Sequence, residues 1–90
     1  MNNKKEKNIT NTPLKLPKEQ VDLVMDLYAT GKINEAIEAI KALNEDYPNV
    51  PLLFNLLGAC YNQLGQFGAA AQFFESAFTI KPDYAEAYMN

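Results

Sequence analysis

The sequence predicts an all-α repeat protein built from antiparallel helix hairpins. Two observations lead to this fold class. Residues recur at an interval of 34, as Gly31 and Gly65 do, and likewise Pro48 and Pro82; a fixed period of this length indicates stacked supersecondary units. Between these breakers the apolar residues follow helical spacing, and a hydrophobic content of 48% is enough for a packed core.

The first repeat predicts two helices. Pro17 suits the first position of a helix, because the N–H that it lacks would have no partner there. Gly31 is expected to close this helix in the left-handed conformation. The second helix must end before Pro48, because the residue before a proline avoids helical geometry. The apolar positions are Val21, Leu23, Val24, Leu27 and Tyr28 in the first helix, and Ile33, Ala36, Ile37, Ile40 and Leu43 in the second.

The second repeat follows the same pattern. Pro51 opens a third helix, Gly65 ends it, and a fourth helix stops before Pro82. Asp83 is a candidate N-cap for a short fifth helix. The apolar positions are Leu53, Phe54, Leu57, Tyr61 and Leu64 in the third helix, and Phe67, Ala70, Ala71, Phe74, Ala77 and Phe78 in the fourth.

The amino-terminal segment differs in composition from the repeats. Residues 1–16 are rich in Asn, Lys and Thr and carry a net charge of +3, whereas residues 17–90 carry −6. We therefore expect a flexible basic leader, followed by repeat 1 at 17–50, repeat 2 at 51–84 and a partial repeat 3 at 85–90. The acidic body argues against nucleic acid and against anionic membranes as partners.

The sequence does not indicate catalysis. It contains no histidine, so no imidazole can activate Cys60, which is expected to be an inert buried thiol. No metal constellation, phosphate loop or catalytic triad can be assembled, so we expect neither an enzyme nor a cofactor. A single cysteine excludes an intramolecular disulfide. The amino terminus lacks the apolar run of a secretory signal, and the predicted location is cytoplasmic.

The second repeat resembles the tetratricopeptide repeat (TPR) family. The residues that carry the resemblance are Phe54, Leu57, Gly58, Tyr61, Gly65, Ala70, Phe74, Ala77 and Pro82. The first repeat matches less well, with Gln20 and Val24 at the positions of Phe54 and Gly58. The resemblance implies an alpha-alpha superhelix, a right-handed solenoid of two TPR repeats plus the short fifth helix. It also implies that Gly58 and Ala70 let the helices of a hairpin approach closely.

The resemblance further implies a binding surface. The first helix of each hairpin lines the concave face of such an array, which usually holds an extended peptide or a partner helix. The expected function is therefore that of a protein-interaction module or scaffold. The expected groove residues are Val21, Met25, Tyr28, Leu52, Asn55, Ala59, Asn62 and Gln63.

Individual groove residues have competing explanations. Asn55 and Asn62 are the best candidates for hydrogen bonds to a peptide backbone, but ordinary solvated helix positions account for them equally well. Met25 and Tyr28 are better explained by packing in the first hairpin than by peptide contacts. Family members that bind chaperone tails grip a C-terminal carboxylate through basic and amide side chains. That activity is not expected here, because the matching positions are Val21, Met25, Leu56, Glu86 and Asn90.

The carboxyl end predicts self-association. Two repeats rarely bury a continuous core, and natural arrays end in a polar capping helix, so we expect an open apolar face here. Two explanations compete. In the first, the chain is a piece of a longer array or the N-terminal recruiting module of a larger enzyme, such as a glycosyltransferase or sulfotransferase. In the second, two copies of the chain pair as a homodimer. The expected self-association residues are Phe73, Phe74, Ala77, Phe78 and Tyr88.

Overall fold

The computed structural model describes residues 15–82, which form four α-helices and no β-strand. Each helix packs mainly against the next one in sequence, which gives the hairpins α1–α2 and α3–α4. The predicted all-α hairpin fold is confirmed. The helices are α1 at Lys18–Ala29, α2 at Ile33–Asp46, α3 at Pro51–Gln63 and α4 at Phe67–Ile80.

Some predicted elements lie outside the described residues. They are the leader up to residue 14 and the short fifth helix that was expected after Asp83.

Prolines stand at the start of α1 and α3 in different positions. Pro51 is the first residue of α3, as the sequence predicted, and Val50 is the extended N-cap. The same prediction is wrong for Pro17 by one residue. Its ψ of 128° is extended, so it is the N-cap of α1, and its carbonyl accepts hydrogen bonds from the N–H groups of Gln20 and Val21. The fixed φ of proline suits both positions, so the sequence alone did not separate them.

Both hairpins turn through the same glycine motif. Gly31 has a φ of 82° and Gly65 a φ of 78°, a left-handed conformation that glycine adopts without steric cost. At the end of α1, the N–H of Lys32 bonds the carbonyl of Leu27 and the N–H of Gly31 bonds that of Tyr28. This Schellman arrangement satisfies the last carbonyls of the helix. The equivalent bonds at the end of α3 join Gln66 to Tyr61 and Gly65 to Asn62.

The hairpins are connected by residues 47–50. Asn49 has a φ of 64°, the one positive value among the described non-glycine residues, and asparagine is one of the few residue types that tolerate this conformation. The left-handed residue lets the chain reverse between the end of α2 and the start of α3.

The core lies between the hairpins and centres on α2. The buried cluster draws side chains from α1, α2 and α3, and half-buried aromatic residues such as Phe73 of α4 pack against it. Ile40 and Leu53 are 0% exposed. Because α2 packs against both α1 and α3, it is the central helix of the described structure. The cluster consists of Val24, Ala36, Ile37, Ile40, Leu43, Leu53, Leu57 and Cys60.

Four of the predicted apolar positions are exposed rather than inward-facing, and one of them is the small Ala71. Phe67 is 65% exposed, Leu23 is 53% exposed, and Leu64 caps α3 at 36% exposure. Leu23 occupies the position of Leu57 in the earlier repeat. Leu57 is buried against the preceding hairpin. Leu23 lies in α1, and no described helix precedes α1 to cover it.

Gly58 permits the close packing of the second hairpin. A Cβ atom at this position would lie 2.5 Å from the ring of Phe74, a distance that forces either the ring or the helix to move. The two helices of this hairpin, α3 and α4, are the most extensively packed pair. The structure therefore confirms the close approach predicted at Gly58.

Candidate functional site

A concavity of about 250 Å³ lies between α1 and α3, with one wall residue from α4. We call this surface the groove. Its lining is mostly apolar, with two amide side chains and one phenol. The lining residues are Met25, Tyr28, Asn55, Leu56, Ala59, Asn62 and Phe74.

The structure brings together most of the side chains that the sequence placed in a groove. Met25, Tyr28, Asn55, Ala59 and Asn62 all line the concavity. The remaining three do not line it; they are the half-buried Val21 and Leu52 and the exposed Gln63. The geometric grouping is thus largely as expected, and the binding role of these residues stays a prediction.

Two lining residues were not assigned to the groove from the sequence. Leu56 was considered only as the counterpart of a carboxylate-binding position, and Phe74 was placed on the carboxyl-terminal face. The Phe74 ring passes over Gly58. A glycine in the middle of α3 was therefore the signal for this contact, because it leaves room for an aromatic ring from the neighbouring helix.

Asn55 is the polar side chain most deeply placed in the groove. It is 7% exposed, and its Oδ1 atom is buried without a hydrogen-bond partner. The expectation of an ordinary solvated position is wrong for Asn55, whereas it holds for the exposed Asn62. An unsatisfied buried acceptor destabilises a protein by about 1–3 kcal/mol, so Asn55 is kept at a measurable cost.

A hydrogen bond connects the first helices of the two hairpins beside the groove. Gln63 Nε2 donates to Tyr28 Oη over 3.2 Å. Tyr28 also packs against the core cluster, as its packing explanation predicted. The same explanation is wrong for Met25, which is 46% exposed and presents its side chain to the groove.

The groove carries no charged side chain among the described residues. Lys18 and Asp22 of α1, which do not line the groove, pair with each other over 2.8 Å. The hydrogen bond and charge of Asp22 raise the pKa of Lys18. This exposed pair makes little difference to stability. Apolar contact and amide hydrogen bonds are therefore the interactions that the groove offers.

Cys60 is a buried thiol, as predicted. It is 1% exposed, and burial raises its pKa, so the nucleophilic thiolate is disfavoured at neutral pH. Within residues 15–82 no three His, Cys, Asp or Glu side chains come together as a metal site. The helices of this part of the chain are also too short or too polar to cross a membrane.

The expected self-association face needs correction at two residues. Ala77 is 0% exposed. Phe73 stacks on Phe54 and Tyr61 within the hairpin, with ring centroids 6.4 and 5.3 Å apart. Neither residue is thus available as an open apolar surface. Phe78 is half-buried, and Tyr88 lies outside the described residues.

A second, larger concavity of about 470 Å³ is lined by a different set of residues, several of them polar. It provides a control surface for tests of the groove. The lining residues are Asn49, Phe54, Gln72, Glu75, Ser76, Thr79 and Ile80.

Comparison with known proteins identifies one segment of the chain. Residues 53–84, which contain most of α3 and all of α4, match the family model for the tetratricopeptide repeat. The resemblance seen in the sequence is confirmed for this segment, which is a tetratricopeptide repeat. The function class that such a repeat supports is a protein-interaction module.

Most of this chain is similar in sequence to a short region of a longer protein. Protein FlbA of Caulobacter vibrioides is 30% identical over 69 residues, an alignment that covers 77% of this chain and 12% of FlbA. The chain thus corresponds to a small part of that relative. No solved structure matches the chain.

Proposed function

We propose that the groove binds a segment of a partner protein, so that the chain acts as a protein-interaction module. Asn55 carries this proposal. Its Oδ1 atom is buried without a partner in the wall of an otherwise largely apolar concavity. Native proteins contain few such atoms, and each one calls for an explanation. A bound segment that moves this side chain or the wall of the groove and brings a donor to Oδ1 would provide one.

The size and composition of the groove suit a short segment. Its volume of about 250 Å³ lies just below the range of sites for small molecules and accommodates a few side chains. Met25 is exposed, and its unbranched thioether side chain adapts to differently shaped partners. These features favour local contact with a peptide over the enclosure of a metabolite.

The test begins with peptides selected from a randomised display library on the immobilised chain. Their affinities are then measured by fluorescence anisotropy. Ala59→Arg places a long charged side chain in the groove from a half-buried position, and we expect it to weaken binding at least tenfold.

Ser76→Arg is the matched control, because it places the same side chain in the second concavity. We expect it to retain wild-type affinity, and circular dichroism must show both variants to be folded. Equal affinities of the two variants for every selected peptide would remove the groove as the binding site.

Recruitment within a longer protein is a second candidate function. It is favoured by the comparison with FlbA, of which the matched region is only 12%. In that setting the groove would hold a partner or substrate for the rest of the protein. Its test is the Ala59→Arg change made in a longer homologous protein, where loss of partner binding with retained folding of the remaining domains is expected.

Self-association is a separate proposal, and it rests on the half-buried aromatic residues of α4. Because Ala77 and Phe73 are committed to the hairpin, the available surface is smaller than the sequence suggested. Sedimentation equilibrium tests the proposal directly. A single monomeric species over the accessible concentration range would end it.

A further inference from the structure

We propose that the chain's own leader, residues 1–14, docks on the outer face of α1 and covers Leu23, with leader lysines beside the carboxylates of Glu19 and Asp26. These three residues of α1 form what we call the open face. None of them lines the groove, so the proposal is independent of the proposed function. It rests on three observations, which are the exposure of this face, its charge, and the charge and reach of the leader.

The open face is identified by comparing the two repeats. Glu19, Leu23 and Asp26 are exposed in α1, and Leu23 is exposed to 53%. The equivalent residues of α3, which lie 34 positions later, are 0–3% exposed and belong to the core cluster against α2. They are Leu53, Leu57 and Cys60. The surface that α3 buries in an interhelical contact is therefore uncovered on α1.

The charge of the open face limits what can cover it. Two of its three residues are carboxylates, where α3 has apolar side chains. No basic group of residues 15–82 forms an ion pair with either carboxylate, because the ion pair found in this part of the chain joins Lys18 to Asp22. An apolar helix laid on this face would bury both charges without a counter-charge. A suitable occupant brings positive charge on either side of an apolar contact.

The leader has this composition. It contains three lysines and one glutamate, whereas residues 17–90 carry a net charge of −6. The leader is thus the segment of this chain whose charge is opposite to that of the open face, and opposite charge favours association. Two residues after Lys7, Ile9 supplies an apolar side chain to contact Leu23.

The leader is also long enough and close enough. Leu16 packs against the core cluster, which fixes the point where the leader meets α1. Along the helix, Leu23 lies about 9 Å and Asp26 about 14 Å beyond Pro17. Extended residues span up to about 3.3 Å each, so Ile9 can reach Leu23 and the lysines can reach Asp26 after the chain reverses. The covalent link raises the local concentration of the leader to the order of millimolar, and a weak contact is sufficient.

Such a weak contact adds little to the free energy of unfolding, so the test measures proximity. A nitroxide spin label is attached to Asn8→Cys in the full chain, with Cys60→Ala to remove the second thiol. Amide signals are then compared by NMR between the oxidised and the reduced label. We expect the amides of Leu23 and Asp26 to lose at least half of their intensity, whereas that of Gln72 on α4 keeps it.

Charge-reversal variants test the pairing. Glu19→Lys together with Asp26→Lys should reduce the broadening at Leu23 at least threefold. Glu38→Lys together with Glu45→Lys is the matched control, because it makes the same charge change at two exposed acids of α2, and it should retain the broadening. Replacing the three leader lysines with Glu should restore the broadening in the first variant. Circular dichroism must show that all variants are folded.

Several outcomes would overturn the proposal. Equal losses of broadening in the two double variants would show attraction by net charge without docking on the open face. Absence of broadening at Leu23, or similar broadening on all four helices, would show a leader that does not dock. Stronger broadening at Asn62 than at Leu23 would place the leader in the groove. Broadening of an isotope-labelled chain by spin-labelled copies mixed with it would make a second copy the occupant.

Discussion

The two hairpins share one sequence period but fill the space between their helices differently. In the first hairpin, Val24 and Ile40 are 1% and 0% exposed. The equivalent residues in the second are Gly58 and Phe74, and a Cβ at Gly58 would lie 2.5 Å from the ring. A side chain lost from one helix is thus balanced by a larger one on its neighbour. At these equivalent positions of the two repeats, the combined volume of the two side chains is kept more closely than the residue types.

Aromatic stacking adds a second difference between the hairpins. Phe73 lies between Phe54 and Tyr61 in the second hairpin, where the first has Ala39, Gln20 and Leu27. The α3–α4 pair is accordingly packed more extensively than the α1–α2 pair. The second hairpin is therefore stabilised mainly by contacts between its own helices, whereas the stability of the first depends more on the contact of α2 with α3.

The largest expected effect compares two leucines at the same repeat position. Leu57 is 3% exposed and Leu23 is 53% exposed. We expect Leu57→Ala to lower the free energy of unfolding by about 3 kcal/mol, because it opens a cavity in the core. Leu23→Ala should lower it by less than about 1 kcal/mol. Urea unfolding measures both values. Similar losses for the two variants would show that something covers Leu23 as α2 covers Leu57.

Gly58→Val tests the volume exchange between the hairpins. The new side chain collides with Phe74, and we expect the free energy of unfolding to fall by about 1–3 kcal/mol. Adding Phe74→Ile reproduces the Val24 and Ile40 pair of the first hairpin. The double variant should recover at least half of the loss, a coupling that thermal or urea unfolding detects. Additive losses would contradict the exchange.

Phe73→Ala removes the middle ring of the aromatic stack. We expect a loss of about 2 kcal/mol in the free energy of unfolding, because the ring is half-buried and contacts two others. Phe73→Leu is the control, since it retains apolar volume without stacking, and it should lose less. Equal stability of wild type and Phe73→Ala would show that the stack does not hold hairpin 2 together.

The smallest expected effect is a pH dependence that comes from Cys60. Burial raises its pKa in the folded protein above the ordinary value of 9.0. The unfolded chain therefore loses this proton at a lower pH than the folded one, and stability falls as the pH rises above about 9. The melting temperatures of wild type and Cys60→Ala at pH 7 and pH 9.5 test this. The wild type should lose more between the two pH values, and identical changes would exclude the thiol as the cause.

The fold was predictable because its signals are local. Gly31 and Gly65 turn the chain through left-handed backbone angles, and Pro51 begins α3; each works through the geometry of its own backbone. The exposure of Leu23 was not predictable, because it depends on which helices lie next to it. Two leucines at the same repeat position read alike in sequence and differ only in their neighbours.

The candidate site was predictable in outline. The resemblance to the tetratricopeptide repeat identified Met25, Asn55 and Asn62 as groove residues by match of position, and the structure groups them. The burial of Asn55 and the presence of Phe74 in the lining required three-dimensional packing, because they depend on how closely α4 approaches α3 at Gly58. The 34-residue period does not show which side chains of one helix extend across the hairpin to the surface of the other.

The packing of each helix mainly on its sequence neighbour has a kinetic consequence. Contacts between adjacent helices close short loops, and proteins dominated by such contacts fold in microseconds to milliseconds. The buried cluster joins α2 to Leu53 and Leu57 of α3. During synthesis, the first hairpin therefore completes its core only after α3 has left the ribosome, and we expect the two repeats to fold as one cooperative unit.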